Sequence, residues 1–138
     1  MSQDTNKRIR TEVVTGVAGD VVTALSPTTG KTGQVVYAQV VLTTDATAAN
    51  RRLLFGVKDP DGNLLIDSHS GAVVVASATA QHHSCMQGVY RETAFIGDSI
   101  QIPIPYDMIV PNGGTVTVTI ENGQAGDSYD VSFLGYEW

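Results

Sequence analysis

Three histidines and one cysteine are the residues best suited to metal binding or nucleophilic chemistry: His69, His82, His83 and Cys85. Adjacent residues of a strand point to opposite faces, so the neighbouring histidines are poorly placed to bind one metal ion together. A single cysteine excludes an intrachain disulfide framework and a multi-cysteine zinc site. We therefore expect no metal centre, and we interpret Cys85 as a small buried apolar residue rather than as half of a thiolate–imidazole pair.

The run Asp59-Pro60-Asp61-Gly62-Asn63 places three oxygen-bearing side chains at alternate positions, as a calcium loop does. An EF-hand loop needs glycine at its sixth position, where Leu64 stands. The proline favours a type I turn, and the glycine can adopt the left-handed conformation that completes a bulged loop. The run therefore predicts a hairpin turn between strands at 53–57 and 64–66, and no cation site.

Other catalytic signatures are missing from the sequence. It has no Gly-x-Ser-x-Gly elbow, no phosphate-binding Walker loop and no conspicuous pair of carboxylates. We expect a protein that is not an enzyme and uses no cofactor. Sugar recognition stays open as an alternative, with Tyr37, Tyr90 and Tyr106 as candidate stacking platforms, although aromatic residues make up only 7% of the chain.

Composition and charge describe one acidic domain. The 138 residues are 42% hydrophobic and 16% charged, without an apolar run long enough to cross a membrane. Eight basic and seven acidic residues give the first 91 positions a charge of +1, whereas seven acids and no base give the last 47 a charge of −7. Nucleic-acid binding requires a dense basic surface. We therefore expect neither nucleic acid nor a membrane as a partner.

The elements that position these residues are predicted to be strands. The sequence has 18 Val, 15 Thr and 8 Ile against 7 Leu, and turn signals recur at short intervals. Branched side chains favour pleated sheets over helices. We predict a single antiparallel β-sandwich over residues 13–138, preceded by a flexible arm over residues 1–12. The best candidate for a single helical turn is 45–50, and the segment 72–80 is interpreted as a strand, with a short helix as the alternative.

Two alternating runs near the end of the chain predict a terminal hairpin. The run 115–120 and the run 128–133 are separated by a turn rich in glycine and asparagine. The period of two turns a defined set of side chains inward: Val116, Val118, Ile120, Tyr129, Val131 and Phe133.

The segment 34–43 predicts a strand with apolar side chains on both faces, which is either central in its sheet or covered by a partner chain. One face carries Val36, Ala38, Val40 and Leu42, and the other carries Val35, Tyr37 and Val41. The segment 100–106 predicts an edge strand, because Pro103 and Pro105 both lack an N–H group on the same lateral side.

The last residues leave two interpretations open. If Tyr129, Val131 and Phe133 point inward, strict alternation places Leu134, Tyr136 and Trp138 on the opposite face. Either a bulge at Gly135 exchanges the two faces and buries these side chains, or they form an apolar patch for another subunit.

The last third of the chain resembles small β-sandwich proteins of tailed-bacteriophage heads, the cement or decoration proteins on HK97-like capsids. The shared features are a Pro-Tyr segment, a Val-Pro-x-Gly-Gly turn, an alternating strand, an Asn-containing turn and a terminal Gly-Tyr. Here they are Ile100–Tyr106, Val110-Pro111-Asn112-Gly113-Gly114, Thr115–Val118 and Phe133-Leu134-Gly135-Tyr136-Glu137-Trp138. The stretch that contains them, from Ile100 to Trp138, covers about 40 of the 138 residues. The resemblance implies a jelly-roll-like sandwich that clamps neighbouring subunits of the major capsid protein without chemistry.

From these observations we expect a virion structural protein on the capsid surface, made in the host cytoplasm and associating as a homodimer. The alternative is a receptor- or glycan-binding module of a viral fibre or spike. The N-terminal arm 1–12, which carries Lys7, Arg8 and Arg10, is expected to order only on a partner, such as the acidic half of a neighbouring copy. The expected interface residues are Lys7, Arg8, Arg10, Val35, Tyr37, Val41, Leu134, Tyr136 and Trp138.

Overall fold

The structure is a computed structural model that describes residues 7–86, 99–104 and 108–138. Within these ranges the chain forms strands and no helix, which confirms the expected all-β class. The ten strands are β1 (Arg8–Ala18), β2 (Thr23–Leu25), β3 (Gly33–Thr43), β4 (Arg52–Lys58), β5 (Leu64–His69), β6 (Thr79–Met86), β7 (Ser99–Ile104), β8 (Met108–Val110), β9 (Thr115–Glu121) and β10 (Ser128–Glu137).

The strands form two sheets with jelly-roll order. Sheet A has the order β1-β10-β3-β6-β7, with β8 paired to the start of β3, and sheet B has the order β2-β9-β4-β5. If β7 and β8 are set aside, the strands pair as first-eighth-third-sixth in sheet A and second-seventh-fourth-fifth in sheet B. This is the order of an eight-stranded jelly roll. The predicted antiparallel β-sandwich is confirmed, and one described pair, β6 with β7, is parallel.

The core lies between the two sheets and contains the side chains that the alternation predicts. Val116, Val118 and Ile120 are buried from sheet B, and Tyr129 and Val131 are buried from sheet A. The predicted hairpin between the last two strands is wrong, because β9 pairs with β2 and β4 whereas β10 pairs with β1 and β3. Both strands turn one apolar face inward, but from opposite sheets.

The other predicted hairpin is confirmed. Strands β4 and β5 pair in antiparallel fashion around the turn at 59–63, with a bulge beside Val57 and with Gly62 at φ +86°. The Asp59 carboxylate accepts hydrogen bonds from the Asn63 amide at 2.9 Å and from the backbone N–H groups of Asn63 and Asp61 at 2.8 and 3.0 Å. These bonds, above all those from Asn63, hold the pKa of Asp59 below its ordinary value. The carboxylate therefore fixes a turn.

The predicted edge strand corresponds to β7, which stands at the end of sheet A and pairs within the described residues with β6. Its Ile102 side chain is fully buried and Ile100 packs against the core. Residues 105–107, including Pro105 and Tyr106, lie outside the described residues.

A buried arginine organises the loops at one end of the sandwich. Arg51 is 0% exposed, and its Nε and Nη2 donate to the two oxygens of Asp127 at 2.9 Å. Nη2 also donates to Asp45 at 2.8 Å, and Nη1 donates to the carbonyls of Thr47 and Ala49 at 2.8 and 2.9 Å. These five bonds occupy all five N–H groups of the guanidinium.

The same cluster explains why no helical turn forms at 45–50. The carbonyls of Thr47 and Ala49 point to the guanidinium instead of to backbone N–H groups further along the chain. Asp127 also accepts from the backbone N–H groups of Asp45 and Gln124, at 2.8 and 2.9 Å. The ion cluster therefore links the loop after β3 to the turn that carries the chain from sheet B to sheet A.

Candidate interaction face

Alternation along β10 divides its side chains between the core and the outer surface of sheet A. Tyr129 and Val131 are buried, whereas Leu134 and Tyr136 are exposed. Leu134 lies opposite Tyr37 of β3 on one side and opposite β1 on the other. Directly opposite residues of antiparallel strands share a face and touch. Side chains of three strands therefore meet on this surface.

We call this surface the apolar face and define it by six exposed side chains: Ile9, Val13, Tyr37, Ile109, Leu134 and Tyr136. Ile9 lies opposite Tyr136, and Ile109 of β8 lies opposite Gln34, which is itself opposite Tyr136. The face thus extends over β1, β10, β3 and β8. Soluble monomers seldom expose large contiguous apolar patches, and such patches mark interaction sites.

A β-bulge in β3 decides which side chains reach the apolar face. Tyr37 pairs with Leu134 and Val35 pairs with Gly135, so Val36 is an extra residue without an opposite partner. Val35 is therefore buried and Val36 exposed, which makes both predicted assignments wrong. Beyond the bulge the predicted faces are right, and β3 is central in sheet A.

The bulge also resolves the two interpretations of the last residues in favour of exposure. The extra residue lies in β3, not at Gly135, so the alternation of β10 continues and Leu134 and Tyr136 remain outside. Gly135 is needed there because a Cβ atom at this position would clash with the carbonyl oxygen of Gln34. The close approach of the two strands therefore requires a residue without a side chain.

The remaining predicted apolar residues lie at the border of this face. Val41 is partly buried and lies opposite Asp130 of β10 and Gln81 of β6. Trp138 follows β10, and its backbone exchanges hydrogen bonds of 2.9 and 3.0 Å with Thr32. The Nζ atom of Lys7 lies 4.8 Å from the centre of the Trp138 ring. Such cation–π contacts stabilise a geometry of this kind by about 0.5–1 kcal/mol at exposed sites.

The predicted basic residues contact their own chain. Arg8 and Arg10 lie in β1, and Arg10 donates to Glu137 and Glu12 at 3.1 Å and to the carbonyl of Ser26 at 2.8 Å. Residues 8–12, which we expected in the arm, thus belong to sheet A. Residues 1–6 lie outside the described residues, so an arm at those positions stays a prediction.

Glu137 is the acidic partner at this corner of the molecule. Its carboxylate accepts from the backbone N–H and the hydroxyl of Thr28 at 3.1 and 2.9 Å and from Arg10 at 3.1 Å. These bonds, led by the backbone N–H of Thr28, hold the pKa of Glu137 below its ordinary value. The corner is therefore a polar border beside the apolar face.

An apolar cleft opens between the sheets next to this border, with a volume of about 60 Å³. It is lined by apolar side chains from both sheets and from the loop between β2 and β3, including Leu25, Pro27, Val110, Val116 and Phe133. Arg10 and Glu137 lie at its edge. It is large enough for a small apolar group and contributes apolar surface beside the sheet. Sequence patterns do not reveal it, because its lining comes from separate strands of both sheets.

Three residues of the apolar face were not predicted from the sequence: Ile9, Val13 and Ile109. The signal for the first two was the alternation Ile9-Thr11-Val13, which lies within and just beyond the segment assigned to the arm. Lys7, Arg8 and Arg10 obscured it because they give the segment the composition of a solvated tail.

His82 lies apart from this face: it is opposite Val40 and buried. The side chain of His83 lies outside the described part of the structure. The side chain of Cys85 lies outside the described part of the structure. In the described ranges no group of three His, Cys, Asp or Glu side chains could hold a metal ion. The same ranges contain no helix that could span a membrane.

Fold and surface together define an all-β jelly roll with a broad exposed apolar face. The chain is similar to chains in two structures of infectious bursal disease virus. For the Gt strain the TM-score is 0.38 at 13% identity, over 96% of this chain and 32% of that chain. For the Gx strain the TM-score is 0.35 at 12% identity, over 96% of this chain and 40% of that chain. This chain thus spans less than half of either. No family model and no curated protein matches the sequence.

Proposed function

We propose that this protein is a non-enzymatic structural component of a virion, a cement protein that binds the outer surface of a tailed-phage capsid through the apolar face. The observation that carries the proposal is the exposure of Ile9, Val13, Tyr37, Ile109, Leu134 and Tyr136 across four adjacent strands. The occupant of the face is the major capsid protein.

The physical requirements of a cement protein match this surface. It must cover joints between subunits and resist their separation, which needs contact area and no bond-breaking chemistry. A sheet face with an apolar centre and a polar border has the composition of a protein–protein interface. Because a shell offers the same joint many times, copies that are linked to one another bind with avidity, so that modest affinity at each site suffices.

Fold and sequence support the proposal independently of the face. The jelly roll is a fold of viral capsid domains, although lectins and cupins also use it, so the fold alone assigns no function. The resemblance of the last third of the sequence to phage cement proteins adds weight. It includes Leu134 and Tyr136, which lie on the apolar face.

Sedimentation with phage heads tests the proposal. Heads are purified from a phage in which this gene is deleted, mixed with the purified protein and pelleted. Leu134→Ser and Tyr37→Ser are each expected to weaken binding about tenfold, since each removes one apolar side chain from the contact. Leu65→Ser is the matched control, because Leu65 is also exposed but belongs to sheet B. Equal binding by all three variants and the native protein would contradict the proposal.

A further inference from the structure

Strand β1 lies at one end of sheet A. It pairs with β10 alone, and no strand of the described part of the chain pairs with its other side. A bulge follows Val14, where Gly16 has φ +67° and donates its N–H to Asp130 at 2.8 Å. The straight part of the edge is therefore Arg8 to Val14. An uncovered edge of this length is a template for another strand.

We propose that this edge binds the same edge of a second copy, so that two β1 strands pair in antiparallel fashion about a two-fold axis at Thr11. In this register Thr11 lies opposite the partner's Thr11. Arg10 lies opposite the partner's Glu12, and Ile9 lies opposite the partner's Val13. A two-fold axis repeats each contact, so the edge is complementary to itself. The inference concerns the isolated protein and does not depend on the capsid role.

Charge favours this register over the two nearest symmetric ones that place a charged residue on the axis. A two-fold axis perpendicular to the sheet must pass through a residue that is paired with its own copy. Only then do the side chains of every pair of opposite residues point to the same face of the sheet. An axis at Arg10 would place two arginines opposite each other, and an axis at Glu12 would place two glutamates there. Like charges directly opposite are destabilising. The axis at Thr11 instead forms two Arg10–Glu12 pairs.

Apolar exposure supports the same pairing. Ile9 is 71% and Val13 is 66% exposed, more than any other large apolar side chain in the described ranges. Ile9, Thr11 and Val13 all lie on the apolar face. Their opposite residues in β10 are Tyr136, Leu134 and Ser132, in that order, and these point outward. The pairing places each isoleucine against a valine and joins two apolar faces into one continuous surface.

Register-specific crosslinking tests the proposal. In a Cys85→Ser background, Thr11→Cys places two thiols on the axis, and we expect a covalent dimer under mild oxidation. Val13→Cys is the matched control on the same strand and face. In the proposed register the two thiols of this control dimer would lie far beyond disulfide distance of each other. Crosslinking of the Val13 variant in preference to the Thr11 variant would overturn the register.

Charge exchange gives a second, non-covalent readout. Sedimentation at micromolar concentration should show a dimer of the native protein. Glu12→Arg is expected to weaken it about tenfold or more, since two favourable pairs become repulsive. Arg10→Glu combined with Glu12→Arg should recover most of the affinity. A native protein that stays monomeric, or a double variant no better than the single one, would refute the proposal, with circular dichroism showing that each variant is folded.

Discussion

Replacing Arg51 with methionine should be among the most destabilising single changes in the described part of this protein. The side chain is fully buried and donates five hydrogen bonds, and its charge faces the buried carboxylate of Asp127. Methionine has similar length but cannot donate a hydrogen bond. The substitution therefore removes the cation and leaves the anion in place.

The expected magnitude follows from what Asp127 retains. The backbone N–H groups of Asp45 and Gln124 still donate to its carboxylate. The carboxylate is 0% exposed, however, and it loses its positively charged partner. Breaking a buried ion pair by removing one partner costs about 3–5 kcal/mol. Small domains have a total free energy of unfolding of about 5–15 kcal/mol. The substitution should consume a large fraction of that total.

Urea unfolding followed by circular dichroism measures the effect. Arg52→Met is the matched control, because Arg52 is the next residue and its buried Nε atom has no hydrogen-bond partner within the described residues. We expect the control to cost about 0.5 kcal/mol or less, because it removes a buried donor that is already unpaired. Asp127→Asn should lower the free energy of unfolding less in the Arg51→Met background than in the native protein, because the two side chains form one ion pair. A loss below about 1 kcal/mol for Arg51→Met would refute this reasoning, because it would lie outside the range for a broken buried pair.

Three further predictions concern pH, a glycine and a tyrosine. Burial raises the pKa of Asp127, but hydrogen bonds from Arg51, Asp45 and Gln124 outweigh it, so that this pKa lies below its ordinary value. The pKa values of Asp59 and Glu137 are also lowered. The free energy of unfolding should thus be constant above the carboxyl pKa values of the unfolded chain, which are about 4. It should fall as the pH drops through the lower pKa values of the folded protein, and this fall should be shallower in Asp127→Asn. Gly135→Ala should lower the melting temperature by several degrees through the clash with Gln34, whereas Gly71→Ala, which meets open space, should not. Tyr129→Phe should cost about 1–2 kcal/mol in urea unfolding, because its hydroxyl donates to the Val21 carbonyl at 2.6 Å and contacts Thr23 at 2.9 Å.

Local patterns predicted burial well in this chain. The alternation at 115–120 identified the inward residues of β9, and the turn at 59–63 identified the β4–β5 hairpin. Both depend on neighbours in sequence, which a periodic pattern records directly. The same alternation did not reveal which sheet β9 joins, because the inward faces of both sheets have the same composition. Its partners β2 and β4 are distant in sequence.

The site was predicted only in part for the same reason. Tyr37, Leu134 and Tyr136 follow from strict alternation, whereas the exchange of Val35 and Val36 depends on a bulge opposite Gly135. A strand with apolar residues on both faces does not indicate where a bulge falls. Arg51 could not be distinguished from Arg52, because its burial depends on Asp127, which is 76 positions away.

Electron microscopy of phage heads with and without this protein tests the proposed function most directly. We expect additional density spread over the icosahedral faces, with the apolar face of sheet A turned toward the shell. Density confined to a tail tip or spike, or sheet B turned toward the shell, would contradict it.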